Sequence, residues 1–262
     1  MNLRVIYFCL FSILFTATMA QSEQFINKTD NTGKKQGHWI KKYPDGNIMY
    51  DGFFRNDKPV GEFRRYYEDK TLKSLLVFSD NSTEALATLY YQNGFVASRG
   101  KYVNQLKEGK WQFFSVLNKG VLISEENYLN DKKNGLCRKF YPDSRVAEAL
   151  NFHDDIKNGE WLNYHPNGSL NFRTNYSNGK LNGNFEAFFA DSKPEVTGKY
   201  KDDLREGVWI IYNKDGSQRF KTEYSAGIPN NSAIDIYETD YIDSLERNKI
   251  KIADPEKTGE KW

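Results

Sequence analysis

Glycine recurs in this chain at a fixed interval, and that interval restricts the possible folds more than any other feature. Gly37, Gly61, Gly109, Gly135, Gly159, Gly183 and Gly207 are separated by 24, 48, 26, 24, 24 and 24 residues. The 48 is two periods, with Ala85 standing at the missing position, and the 26 reflects two extra residues ahead of Gly120. Self-similarity at a period of a few tens of residues marks a repeat architecture, in which each unit packs on its neighbours. Eight units of 24 residues therefore fill residues 35–228.

Aromatic residues keep the same phase. Two residues after each repeat start stand Trp39, Phe63, Ala87, Trp111, Cys137, Trp161, Phe185 and Trp209. Five residues after stand Tyr66, Tyr90, Phe114, Phe140, Tyr164, Phe188 and Tyr212, with the first unit displaced by one to Tyr43. Seventeen residues after stand Phe54, Phe78, Tyr102, Phe152, Tyr176, Tyr200 and Tyr224, with Tyr128 in the unit that carries the insertion. Between these columns lie Asp45-Gly46, Asn93-Gly94, Asn167-Gly168 and Asp215-Gly216, pairs that suit two-residue hairpin turns with positive φ. One hairpin per period is expected. The hairpins should join through polar turns such as Ser177–Lys180 into an all-β, elongated, twisted antiparallel meander. A lone hairpin is marginal in water, so the units must stack ring on ring. The repeat-start glycines, and Gly52, Gly100 and Gly198, are expected to leave room for a neighbouring ring. Positions +2 and +5 fall on opposite faces of an ideal strand, so either a bulge intervenes or both faces carry rings.

The ends read differently. Residues 1–20 have one cation, Arg4, then the apolar run Val5–Phe15, then small residues up to Ala20. This is the pattern of a cleavable signal, and its apolar core is too short for a membrane span of about 20 residues. The expectation is export, to the periplasm or outside the cell, with residues 21–34 as a lead-in. After the repeats, Ile234, Tyr237, Tyr241, Ile242 and Leu245 recur at helical spacing. Residues 229–262 are expected to form a capping helix and a solvated tail.

Removing residues 1–20 leaves 36 basic residues against 35 acidic ones. That balance argues against a nucleic-acid partner, whose phosphates call for a basic excess. One cysteine, Cys137, remains, so stability must come from packing without an internal disulfide.

The succession Gly-x-Trp-x-x-Tyr, an Asn-Gly or Asp-Gly turn, then Gly-x-Tyr resembles the MORN-repeat variant of bacterial chains. Many such chains carry an antitoxin-like family label. Gly159–Tyr176 is the clearest copy, and Ala85, Ala87 and Cys137 are the departures. The resemblance implies an elongated β-meander that interacts with a protein or a membrane surface, and it implies no reaction.

Chemistry is sparse. His38, His153 and His165 occupy three different repeat positions and belong to no metal-binding motif. Asp154–Gly159 ends like a calcium loop, but Ile156 fills a ligand position and no glutamate closes it. Cys137 stands in a tryptophan slot and reads as a small buried hydrophobe. No enzyme and no cofactor is expected. The expected role is a binding or scaffold module that lays a protein or peptide across Trp39, Trp111, Trp161 and Trp209 with Tyr66, Tyr90, Tyr164 and Tyr212. A glycan or cell-wall polymer stacked on the rings, or a membrane surface, is the alternative.

Overall fold

Each 24-residue period folds into two antiparallel strands, as the spacing of turns and rings requires. The structure, a computed structural model, describes residues 26–230 together with Tyr241, Ile242 and Ser244. The fold is all-β, an open antiparallel meander of hairpins. It divides into two units, residues 1–96 with 102–105, and residues 97–101 with 106–262. In the first unit, Lys35–Lys42, Ile48–Arg55, Lys58–Tyr66, Leu72–Phe78 and Glu84–Tyr90 pair consecutively. In the second, the succession runs from Leu106–Phe114 and Leu122–Leu129 to Leu204–Tyr212 and Gln218–Ser225.

The turns correct the expectation drawn from the Asp-Gly and Asn-Gly pairs. At the Asp45-Gly46 tip only Gly46 has a positive φ, +89°. Gly46 N–H donates to Tyr43 O at 3.0 Å, and Tyr43 N–H donates to Asn47 O at 2.8 Å. This is a three-residue loop whose last residue is left-handed, not a two-residue turn. The two-residue turns lie at the opposite end, between repeats. Asn56 and Asp57 both have positive φ, 53° and 67°, as do Asn130–Asp131, Asp154–Asp155 and Asp202–Asp203. Asn and Asp tolerate this region better than other side chains, and Asp adds a tie. Asp57 Oδ1 accepts from Lys35 N–H at 2.8 Å, and Asp155 Oδ1 from Lys133 N–H at 2.7 Å. Each such turn is thereby fastened to the turn one period earlier.

The repeat-start glycine has a different role from the one its spacing suggested. An added Cβ at Gly207 would meet nothing within 4 Å, but its φ is +67°. Beside these glycines the pairing slips, as between Gly52–Phe63 and Phe53–Val60. The glycine is a left-handed bulge residue. Ala85 shows the converse: Phe78–Ala85 to Ser74–Leu89 pair without a slip, and the link before it is the longer Ser79–Thr83 turn. Gly52, Gly100 and Gly198 do make room for rings. A Cβ at each would overlap Phe63, Trp111 and Trp209 respectively.

These contacts belong to a row that runs across the strands on one face. Position +2 of each hairpin pairs with position +15. In the first unit Trp39 faces Gly52, Gly52 faces Phe63, Phe63 faces Leu76 and Leu76 faces Ala87. In the second, Trp111 faces Glu126, Cys137 faces Leu150, Leu150 faces Trp161, Trp161 faces Thr174, Phe185 faces Gly198 and Trp209 faces Thr222. At Trp39–Gly52, Trp161–Thr174 and Phe185–Gly198 a large side chain faces a small one, which lets the row fill. Phe185 and Trp209 stack over Gly198 with centroids 5.6 Å apart. Ring pairs of this kind contribute about 0.5–1.5 kcal/mol beyond their buried area. Cys137 is small because its row neighbours, Glu126 and Leu150, are both large, and all three are buried.

Burial alternates through the first strand of each hairpin: Trp161 buried, Leu162 half-buried, Asn163 buried, Tyr164 half-buried. The slip at the tip falls in the pairing with the return strand, so +5 stands on the face opposite the indole. Both faces therefore carry rings. Beyond Asn230, Tyr241, Ile242 and Ser244 are helical, and Ile242 is buried in the cluster that holds Trp209. Residues 1–20 and the remaining positions of the expected capping helix, Ile234, Tyr237 and Leu245, lie outside the described residues.

Candidate binding surface

The row of indoles is core. Trp111, Trp161 and Trp209 are at most 1% exposed, so none offers a ring face to a partner. Trp39, on the first strand, is half-buried, and its Nε1–H reaches Lys28 O at 3.1 Å and Gln36 O at 3.2 Å. For Trp111, Trp161 and Trp209 the expectation that a partner lies across the indoles gives way to a packing role, because these rings are closed off within the row.

A further column, a cation two residues before five of the eight repeat starts, escaped the sequence reading. Lys35, Lys107, Lys133, Lys157 and Arg205 sit over the ring ends of that row. Lys35 Nζ is 4.9 Å from the Trp39 centroid, Lys107 4.7 Å from Tyr128, Lys157 4.7 Å from Tyr176, and Arg205 5.3 Å from Trp209. Cation–π attraction holds these half-buried charges where their alkyl stems cover apolar surface. The recurrence of a cation two residues before glycine was the available signal.

Position +6 is a second missed column. Tyr43 does not belong to the +5 series displaced by one; Lys42 fills +5, and Tyr43 stands in phase with Tyr67 and Tyr141. Tyr43 Oη–H donates to Tyr66 O at 2.8 Å, Tyr67 to Tyr90 O at 2.9 Å, and Tyr141 to Tyr164 O at 2.6 Å. His165 Nε2 lies 2.8 Å from Phe188 O in the same role. A ladder of side-chain donors thus ties each tip to the next.

The +5 tyrosines are left over by these arrangements. Tyr66, Tyr90, Tyr164 and Tyr212 are half-buried on the face opposite the core row. The backbones of Tyr66, Tyr90 and Tyr164 are held by the ladder, and among the described residues no hydrogen bond is made by the hydroxyls of the four. In the first unit this outer face is also apolar: Phe53, Val77 and Leu86 are 49%, 41% and 62% exposed. Leu72, paired with Tyr66, and Leu75, paired with Thr88, lie among them. His38 stacks on Phe53 at 4.9 Å while its Nε2 meets Asp51 Oδ1 at 2.7 Å. In the second unit the corresponding positions are largely polar, with Lys110, Asn127, Asn151, Glu160, Asn175 and Lys199.

The chemistry elsewhere is structural. Burial pushes the Cys137 thiol up to about 11, which disfavours the thiolate. Beside it, the buried Glu126 accepts from Tyr128 Oη at 2.6 Å and pairs with Lys133 Nζ at 3.0 Å. Among the described residues no group of acidic, histidine and cysteine side chains is placed to hold a metal ion.

Three segments, residues 35–56, 59–80 and 157–180, match the family model described as MORN repeat variant. These segments are similar to that repeat, and two of them form the hairpins that carry Phe53, Tyr66 and Val77 of the apolar outer face. Such repeats are generally non-catalytic modules for protein or membrane binding. A search of curated proteins finds no match.

Proposed function

We propose that this protein is an exported, non-catalytic module that binds a partner protein on the outer face of its first unit. The observation that carries the reading is the combination of Tyr66 and Tyr90, half-open rings with unused hydroxyls, with the exposed Phe53, Val77 and Leu86. Exposed apolar side chains grouped on one face, beside rings with polar tips, are the usual makings of a protein interface. The near-neutral charge favours a protein over an anionic membrane, and the burial of Trp111, Trp161 and Trp209 removes the ring faces a sugar would stack on.

Tagged wild-type chain and the Leu86→Asp/Val77→Asp variant, each used to capture partners from the exported fraction, test the proposal. A protein retained by the wild type and lost by the variant is the expected result. Equal recovery by both, with the variant's β-sheet spectrum intact, overturns it. Export is tested separately by N-terminal sequencing, which should find Gln21 first.

A further inference from the structure

The tyrosines of the first unit also specify what kind of chain segment they can hold. Tyr66 and Tyr90 are equivalent residues of successive hairpins, so two strand spacings separate them. At about 4.8 Å per strand that distance is about 9.6 Å. Their backbones are fixed by hydrogen bonds from Tyr43 and Tyr67, so the spacing is built into the sheet and not left to mobile loops. Leu72, the strand partner of Tyr66, lies on the strand that runs between Tyr66 and Tyr90.

A ligand lying across the strands must present the same face every 9.6 Å or so to use both rings alike. An extended strand advances about 3.3 Å per residue and turns its other face after three residues. An α-helix repeats at about 5.4 Å, and two turns overshoot at about 10.8 Å. A polyproline II helix has three residues per turn at about 3.1 Å each, so one face returns every 9.3 Å or so. It is the regular conformation commensurate with this sheet. Its carbonyls make no internal hydrogen bonds and need donors, and the Tyr66 and Tyr90 hydroxyls are donors without a partner among the described residues. Charge narrows the class further. The exposed tip turns beside this edge carry Asp45, Glu68 and Asp69 against Lys70, with Lys42 at the +5 position of the preceding hairpin and Arg64 paired to Glu62. Hydrogen bonds from Thr71 and Gln92 hold the Asp69 carboxyl below the usual carboxylate range, so it stays ionised.

We infer that the outer face of the first unit binds a proline-rich segment in the polyproline II conformation, with basic residues flanking the prolines and successive turns on Tyr66 and Tyr90. This inference rests on the proposed protein-binding role of the same face and names the class of segment bound.

The test uses the full chain and three labelled probes followed by fluorescence anisotropy. One is a peptide of about nine prolines, three turns, flanked by arginines. The second keeps the arginines and replaces the prolines with glycine and serine. The third is a pool of proline-free peptides. The expected result is saturable binding of the first probe, at least about tenfold tighter than the second. Tyr66→Ala/Tyr90→Ala should weaken it at least about tenfold, and Tyr66→Phe/Tyr90→Phe, which keeps the rings and secures the fold, should weaken it measurably by removing both donors. Equal binding of the first two probes, no binding of the proline probe at millimolar concentration, or indifference to both variants overturns the inference. If members of the proline-free pool bind and are lost with Tyr66→Ala/Tyr90→Ala, the polyproline reading falls and the binding face stands. If no probe responds to the substitutions, both fall.

Discussion

Two glycine columns that look alike in sequence do opposite work at the residue scale. Gly207 needs a left-handed backbone and has open space around it, whereas Gly198 has an ordinary backbone and a tryptophan ring against its Cα. Asparagine separates the two demands, because it visits the left-handed region readily but carries a side chain. Gly207→Asn should cost only a few tenths of a kcal/mol, and Gly198→Asn about 3 kcal/mol, the upper range for overpacking. Chemical denaturation followed by tryptophan fluorescence measures both, and equal losses would refute the distinction. Cys137 obeys the same volume rule. Cys137→Trp restores the common residue of its column but has no small neighbour to lie over, so it should destabilise by about 1–3 kcal/mol. Glu126→Gly added to it should restore part of that loss, although Lys133 then lacks its buried partner. A double-mutant cycle with no coupling would count against the row.

At the scale of the element, turns are closed by side-chain oxygens that accept backbone N–H groups, the amides of Asn81, Asn93 and Asn167 at some and carboxylates at others. Asp69 Oδ1 accepts from Thr71 N–H and Asp215 Oδ1 from Ser217 N–H, both at 2.9 Å. Hydrogen bonds from the Thr71 and Ser217 hydroxyls, with the Gln92 amide at Asp69 and then these backbone N–H groups, hold both carboxyls below the usual carboxylate range. A depressed folded value means the charged form is the one the fold prefers. The tie is complete above the ordinary carboxylate range and fades as pH falls through the folded value. Amide exchange at Thr71 and Ser217 should therefore accelerate relative to strand amides as pH falls below the ordinary carboxylate value of about 4. An unchanged ratio would show that the turns do not depend on the charge. The hairpins themselves were legible in the sequence, because glycine, ring and turn columns share one period. The turn types were not. Asp45-Gly46 suits a two-residue loop as well as the three-residue loop it forms, and Asn56-Asp57 lacks the glycine that advertises a two-residue turn. Neither was it legible that Trp111, Trp161 and Trp209 would be consumed by the core while Tyr66 and Tyr90 stayed half-open. A recurrent ring marks a repeated environment, and only the pairing of +2 with +15 shows which face is filled.

At the scale of the whole molecule, a repeat array draws its stability from each hairpin and its immediate neighbours, so a perturbation should stay near where it is made. Ile242 offers a clean test. It is 1% exposed, packed in the cluster of Trp161, Phe185, Trp209, Ile211 and Tyr224, with Tyr241 beside it bonded through its hydroxyl to Glu195. All of these residues belong to the second unit. Ile242→Ala removes methyl groups from a closed core and should cost about 2–4 kcal/mol. The loss should appear as faster amide exchange in Gln218–Ser225 and Leu204–Tyr212, with the strands from Lys35 to Tyr90 keeping their wild-type protection. Equal loss of protection at both ends of the chain would mean that the hairpins unfold as one cooperative body. The nearest-neighbour account of their stability would then be wrong, whatever the regularity of the rows.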